Sequence, residues 1–127
     1  MSVAVTQNIQ ISVSTRYIES ESDATENRHC FAYHVQIENQ GEQAVRLLSR
    51  HWFIKDAWNH VEEVQGEGVI GQTPWIAPGE TFEYNSWCPL RTEFGSMRGT
   101  YTMQRDDGER FEAVIAPFGL AAPHMLN

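Results

Sequence analysis

The chain has 127 residues and a formal charge of −8, with nine Lys and Arg against 17 Asp and Glu. A chain of this length forms one domain that buries enough surface to fold without a metal or a disulfide. The acidic balance, with Lys55 as the single lysine, argues against a nucleic-acid partner, because phosphate affinity depends on neutralising cations. The first residues lack a signal-peptide pattern, and no stretch approaches the roughly 20 apolar residues of a membrane span. These features predict a cytoplasmic protein with no membrane partner.

In the first half of the chain, apolar residues alternate with polar ones at the period of two typical of strands. The pattern predicts strands over residues 9–13, 31–37 and 44–55, with a polar loop over residues 19–27. The third of these strands changes parity, because Val45 and Leu47 lie on one face while Trp52 and Ile54 lie on the other. We therefore predict a bulge or a sheet crossover near residues 48–50.

The second half repeats the alternation. Residues 56–59 predict a hairpin turn, and the strands predicted after it are residues 61–64, 81–88, 97–103 and 111–115. Asp107-Gly108 is a hairpin dipeptide, since its glycine supplies a positive φ. Pro89 limits how far pairing can continue after the strand predicted over residues 81–88. Residues 117–127 are predicted to be irregular. About seven or more strands without a helix predict an all-β sandwich or barrel.

Three glycines form a complete G-x-G-x-x-G motif: Gly66, Gly68 and Gly71. Dinucleotide-binding proteins place this motif between a strand and a helix, but here Pro74 and Pro78 exclude a helix of useful length. Two interpretations are open. The backbone N–H groups of the loop could hold a phosphate, or the glycines could allow a tight inter-sheet loop with positive φ. The second is favoured, because neither phosphate-binding template is matched.

The sequence predicts no metal site and no cofactor. Cys30 and His34 share a strand face but lie about 13 Å apart at about 3.3 Å per residue, and Asp56 and His60 supply only two ligands across a turn. Hydrogen-bonded or solvated histidines are the favoured interpretation. The sequence lacks a nucleophile elbow and a C-x-x-C motif, so we predict no enzymatic activity. Cys30 and Cys88 are predicted to be buried or half-buried thiols in a reducing cytosol.

Two tryptophans lie in predicted loops, where a binding hot spot is often found. These are Trp58, in the hairpin turn, and Trp75, between two prolines. The alternative is that both rings pack over the ends of the sandwich. We hypothesise that Trp58, residues 66–71 and Trp75 form one surface that binds a protein.

A series of spaced motifs runs through nearly the whole chain. The motifs are Arg50-x-Trp52-x-Ile54-x-Asp56, Val64-x-Gly66-x-Gly68-Val69-Ile70-Gly71, Pro74-x-Ile76-x-Pro78-Gly79, Phe82-x-Tyr84, Leu90-x-Thr92, Gly95-x-Met97-x-Gly99-x-Tyr101-x-Met103 and Phe118-x-Leu120. In kind and order they strongly resemble the bacterial ApaG family, also called CorD. The resemblance implies an immunoglobulin-like, fibronectin type III-like β-sandwich. It implies a single ApaG domain over residues 1–127, with a core over about 5–120 and an irregular tail over 121–127.

The resemblance also carries functional expectations. The same domain occurs in eukaryotic F-box proteins and in a polymerase-delta-interacting protein as an interaction module. The bacterial family is linked to cobalt tolerance, to magnesium efflux and to a gene neighbourhood with a diadenosine tetraphosphate hydrolase. A non-catalytic binding or regulatory module with an unidentified protein partner is therefore expected. The alternative is a phosphate-containing small molecule, such as a nucleotide, a dinucleoside polyphosphate or pyrophosphate, bound at the glycine loop. Edge strands leave a homodimer open.

Overall fold

The computed structural model describes residues 1–126, which form nine strands and three short 3-10 helices. The strands are β1 (Ser2–Thr6), β2 (Ile9–Tyr17), β3 (His29–Asn39), β4 (Val45–Asp56), β5 (Val61–Glu67), β6 (Trp75–Ile76), β7 (Thr81–Leu90), β8 (Phe94–Arg105) and β9 (Arg110–Ala121). The 3-10 helices are Glu19–Glu21, Ala24–Glu26 and Pro123–Leu126. None of the helices in this part of the chain is long and apolar enough to cross a membrane.

The strands form two antiparallel sheets that pack face to face. The first sheet has the order β1-β2-β3-β7, and the second has the order β5-β4-β8-β9, with β6 pairing with one end of β4. The chain passes between the sheets after β3, after β6 and after β7. The predicted all-β sandwich of the immunoglobulin-like, fibronectin type III-like class is confirmed.

Alternate residues of both sheets fill the space between them, as the period of two requires. Trp52 lies at the centre, with its ring 5.5 Å from that of Tyr33 and 5.9 Å from that of Phe118, both in edge-on contact. The hydroxyl groups of Tyr84 and Tyr101 are hydrogen-bonded to each other in the core. Because Tyr84 belongs to β7 and Tyr101 to β8, this bond joins the two sheets.

Of the two alternatives predicted for β4, the bulge is confirmed, and the strand stays in one sheet. Leu47 pairs with Met103 of β8, but the next paired residue of β4 is Ser49, which faces Thr102, so Leu48 is an extra residue. The extra residue changes the parity of the strand, which allows the apolar residues on both sides of it to face the core.

Two predictions on strand extent were wrong. Strand β9 continues past Pro117 to Ala121, because a register shift against β8 accommodates the proline in an edge strand. Strand β7 continues past Pro89 to Leu90. Its partner Cys30 accepts a hydrogen bond from Ile18 and so faces β2, which leaves the proline nitrogen on the free side of β7. Strands β1 and β6 were not predicted. Of the expected irregular tail, residue 127 lies outside the described residues.

Candidate interaction surface

Three loops meet at one end of the sandwich, which we call the Trp58 end. They are residues 57–60 between β4 and β5, residues 91–93 between β7 and β8, and residues 22–28 before β3. Trp58 is 65% exposed and Phe94 is 45% exposed, and both line a cleft of about 290 Å³. The guanidinium carbon of Arg91 lies 5.5 Å from the centre of the Trp58 ring, which is the geometry of a cation–π contact.

Asp56 holds the loop that carries Trp58. Its side-chain Oδ1 accepts hydrogen bonds from the backbone N–H groups of Trp58 at 2.9 Å and His60 at 3.0 Å. The backbone N–H of Asp56 donates to His60 O at 3.0 Å, and its carbonyl accepts from Asn59, which has a φ of 63°. The buried carboxylate therefore defines the shape of the hairpin by bonding to the backbone of the turn.

Thr92 joins this hairpin to the neighbouring loop. The Thr92 hydroxyl accepts a hydrogen bond from the Ala57 N–H at 3.0 Å and donates one to Phe94 O at 2.7 Å. Asp56 and Thr92 are both buried. The exposed ring of Trp58 thus belongs to a loop whose backbone is held in place by hydrogen bonds to two buried polar side chains.

His34 and His51 lie on different sheets, and each is bound to another side chain. His34 Nε2 lies 2.8 Å from Glu83 Oε1, and His51 Nε2 lies 2.8 Å from Glu63 Oε1, as expected of hydrogen-bonded surface histidines. His29 differs, because it is buried against Tyr17. Within residues 1–126, no three His, Cys, Asp or Glu side chains are grouped in a way that could hold a metal ion.

The glycine loop is a hairpin within one sheet. Val69 and Gln72 donate backbone hydrogen bonds to each other's carbonyls at 2.9 Å, and Ile70 and Gly71 between them have φ values of 44° and 76°. This is a two-residue turn with positive φ at both positions. The expected positive φ is confirmed at Gly68 and Gly71, whereas Gly66 lies within β5. The expected inter-sheet position is wrong, because β5 and β6 both pair with β4.

The polar groups of the glycine loop are largely used inside the fold. The Gly68 N–H donates to Leu48 O at 2.8 Å. Arg50 Nη1 donates to the carbonyls of Glu67 at 3.1 Å and Gly68 at 2.8 Å. A Cβ at Gly66 would lie only 2.7 Å from Nη2 of Arg50, so the Arg50 guanidinium uses the space that the missing side chain leaves. The N–H groups of Gly68 and Val69 are thus already bonded, and the cation nearest the loop is bonded to its carbonyls, so the phosphate-binding alternative is not favoured.

Trp75 lies far from Trp58. It pairs with Arg46 near the start of β4, whereas Trp58 follows the last residue of that strand. The two ends of β4 are about 30 Å apart at roughly 3.3 Å per residue. Trp75 is 51% exposed and lies at the same end as the glycine loop. The single surface hypothesised from the sequence is therefore divided between opposite ends of the sandwich.

The sequence reasoning missed Arg91 and Phe94 at the Trp58 end. The Leu90-x-Thr92 motif encloses Arg91, and this spacing is the one signal that could have drawn attention to it. Phe94 begins β8 and has no distinguishing pattern in the sequence.

The two cysteines are thiols, as predicted. Cys88 is buried and faces the core, and Cys30, in the neighbouring strand, is half-buried. Burial, together with the nearby charge of Glu62, raises the pKa of the Cys88 thiol to about 12. A thiol with so high a pKa is unreactive near neutral pH.

The fold and the loops at its end define an immunoglobulin-like β-sandwich domain. The family model of the ApaG domain matches residues 19–105. Protein ApaG of Anaeromyxobacter dehalogenans is 51% identical over 127 residues, which is 100% of both chains. Protein ApaG of Ralstonia nicotianae is 47% identical, over 94% of this chain and 96% of the relative. The chain belongs to the ApaG family.

A solved structure agrees with this assignment. The crystal structure of a Bordetella pertussis protein described as ApaA has a TM-score of 0.89 and 49% sequence identity, over 91% of this chain and 94% of that chain. The C-terminal domain of wzt, with a TM-score of 0.57 and 7% identity, shares the fold alone.

Proposed function

We propose that the chain is a non-catalytic binding or regulatory module that contacts a protein partner through the Trp58 end. The observation that carries this proposal is that buried side chains hold the backbone of the loop that presents Trp58. Asp56 and Thr92, both buried, direct their side-chain hydrogen bonds to the loops that present the exposed ring. Folding alone does not require a large apolar side chain at the tip of a rigid hairpin.

The chemistry of this end suits a protein partner. Trp and Arg are the residues most often found at interface hot spots, where a ring enters a pocket of the partner and water is excluded around it. Trp58 and Arg91 are in contact, and Phe94 lines the adjacent cleft. Because the hairpin is already ordered, binding loses less conformational entropy than it would with a flexible loop.

The resemblance to eukaryotic interaction domains supports the same assignment. The family's link to cobalt tolerance and magnesium efflux then reflects the protein that this module binds, and the proposal places the module in the cytoplasm.

Affinity capture from cells tests the proposal, with Trp58→Ala as the variant and Trp75→Ala as its control. Both substitutions remove an exposed tryptophan, but from opposite ends of β4. We expect Trp58→Ala to lose partners that the wild type and Trp75→Ala both retain. Removal of a hot-spot ring weakens binding by about 2 kcal/mol or more, or roughly thirtyfold.

A second variant, Asp56→Ala, keeps the ring and releases the turn, so it should weaken capture of the same partners. Thermal unfolding must show that each variant is folded at the temperature of the experiment. Identical partner profiles for the wild type, Trp58→Ala and Trp75→Ala would overturn the assignment of this end as the interaction surface.

A further inference from the structure

Strand β7 forms one edge of the first sheet, and its hydrogen bonds show which groups are unpaired. Asn39 of β3 donates to Glu80 O at 3.0 Å, just before β7, whereas Cys30 of β3 accepts from Ile18, just after β2. Backbone groups alternate between the two sides of an antiparallel strand. Odd-numbered residues of β3 therefore bond to β7, and even-numbered residues bond to β2.

The register extends this alternation to β7 itself. Odd-numbered residues of β3 pair with even-numbered residues of β7, as in Val35 with Tyr84. The odd-numbered residues of β7 thus direct their N–H and C=O groups away from the sheet, and no other strand of residues 1–126 pairs with them. These residues are Thr81, Glu83, Asn85 and Trp87.

The other sheet edges are covered or charged, whereas β7 has little protection. The Thr6 hydroxyl accepts a hydrogen bond from Val114 at 3.1 Å, so the start of the chain lies against β9. Natural edges are blunted by bulges, prolines and inward-pointing charges. Strand β7 has a proline only at position 89, and its inward-facing residues are uncharged. Its outer face carries Trp87, an exposed large apolar side chain.

The flank between β7 and β5 offers a matching surface for a further strand. Ile54, Val64 and Phe82 are partly buried side chains that pack against the core. A cleft of about 450 Å³ lies between the C-terminal part of β7 and the start of β5, and Arg91 of the Trp58 end lines it. A strand added to β7 would place alternate side chains over this flank and lead towards Trp58.

The charge around β7 indicates the chemistry of the occupant. Glu83 on the outer face of β7 is about half exposed, Glu62 of β5 lines the cleft on the inner side, and the whole chain has a charge of −8. Complementarity across an interface favours the opposite charge and disfavours a second acidic copy. Because successive side chains of a strand point to opposite faces, apolar side chains on one face would cover the flank, and lysine or arginine on the other face would lie beside Glu83.

We propose that the free edge of β7 accepts an extended segment of a partner protein, in which apolar residues alternate with lysine or arginine, as a fifth strand of the first sheet. Main-chain hydrogen bonds supply the affinity in this mode, and alternate side chains supply the selectivity. The inference rests on the proposed function, since both take a protein as the partner, and it specifies how that partner binds.

The test uses a capped peptide of alternating lysine and valine, long enough to span β7, and a control peptide with glutamate in place of lysine. Amide hydrogen exchange of the full chain is followed by NMR. In the free protein, we expect the amides of Thr81, Glu83, Asn85 and Trp87 to exchange at least about 100-fold faster than those of the even-numbered residues. The lysine peptide should slow exchange at the odd-numbered positions, and the glutamate peptide should not.

The variant that tests the edge is Asn85→Pro. The substitution removes a free-edge N–H and leaves the bonds to β3 intact, so we expect peptide affinity to fall at least about tenfold. Asn85→Ala controls for loss of the side-chain bond to His34 and should bind as the wild type does.

The matched control is Gln65→Pro in β5. Asp56 donates to His60 O, and Gly68 donates to Leu48 O, so the even-numbered residues of β5 bond to β4 and Gln65 faces the free edge of that sheet. Gln65, like Asn85, also contacts a histidine through its amide side chain. We expect Gln65→Pro to leave peptide affinity unchanged.

Several results would overturn the inference: no binding of the lysine peptide, equal binding of the glutamate peptide, or unchanged binding to Asn85→Pro. A dimer that light scattering detects and Asn85→Pro dissolves would instead assign the edge to a second copy. Capture from cells separates this inference from the proposed function. If Trp58→Ala loses partners that Asn85→Pro retains, the Trp58 end stands and the edge proposal fails.

Discussion

Gly68 is the position at which the glycine motif is a physical requirement. A Cβ at this residue would lie 2.1 Å from Gln72 O, and the backbone has a φ of 60°. Gly71 also has a positive φ, but nothing lies within 4 Å of its Cβ position. At Gly66 the nearest atoms belong to the flexible end of Arg50, which can move. The three glycines therefore have different reasons for lacking a side chain.

We predict that Gly68→Ala lowers the free energy of unfolding far more than Gly71→Ala does. The alanine at 71 incurs only the backbone strain of a positive φ, about 1–2 kcal/mol. The alanine at 68 adds a collision with a backbone carbonyl and should cost at least about 3 kcal/mol. Urea unfolding of both variants, monitored by tryptophan fluorescence, measures the difference. Equal losses would show that the turn opens freely around residue 68.

At the scale of the element, β4 shows how one extra residue keeps a long strand amphipathic. Val45 and Leu47 face the core before the bulge, and Trp52 faces it after the bulge. Without the extra residue Leu48, one of the two groups would turn towards solvent, because a shift of one residue moves every side chain to the other face.

We therefore predict that deletion of Leu48 abolishes cooperative folding. The deletion exposes either the aliphatic pair or the central tryptophan, and loss of a buried large side chain alone costs about 3–5 kcal/mol. Thermal unfolding and the dispersion of amide NMR signals measure the effect. Leu48→Ala is the control, since it keeps the bulge and removes only a half-buried side chain. A folded deletion variant with native tryptophan packing would contradict this account of the bulge.

The predictions that succeeded in β4 and in the glycine loop depend on neighbouring residues. The change of parity located the bulge, and the glycines indicated positive φ. The roles of Arg50 and Thr92 could not be predicted in this way. Arg50 bonds to carbonyls 17 and 18 positions away, and Thr92 holds a backbone N–H 35 positions away. Such contacts depend on which strands pair, and strand pairing is absent from any local pattern.

At the scale of the whole molecule, the two sheets are joined by buried tyrosines. The hydroxyls of Tyr84 and Tyr101 bond across the core, and Tyr33 packs against Trp52 beside them. Burial raises the pKa of all three hydroxyls above their usual value near 10. The folded state therefore keeps protons that the unfolded state releases.

Stability should consequently fall as the pH rises above about 10. A tyrosine with a raised folded-state pKa contributes its full stabilisation below the unfolded pKa and loses it above, at about 1.4 kcal/mol per pH unit for each group. The buried Cys88 thiol acts in the same direction from about pH 9, its usual pKa. Urea unfolding between pH 8 and pH 11 measures the slope.

The control for this prediction is the Tyr84→Phe/Tyr101→Phe double variant. Removing both hydroxyls leaves no unpaired partner in the core, and the slope should decrease because two titrating groups are absent. A free energy of unfolding that does not fall between pH 10 and pH 11 in the wild type would contradict the assignment of these tyrosines as buried acids.

The sequence by itself determined most of the strands, the positive φ of the glycine turn and the position of the bulge, because alternation and positive φ act between neighbouring residues. It also determined the fold class, since alternating strands with short turns and no helix have few ways to bury their apolar faces. Only the tertiary structure decided which surfaces are continuous. It placed Trp58 and Trp75 at opposite ends of β4, brought Arg91 beside Trp58 and left the edge of β7 unpaired. These relations depend on which distant segments pair. The period of two describes the alternation within each strand, but it does not specify which strands pair with each other.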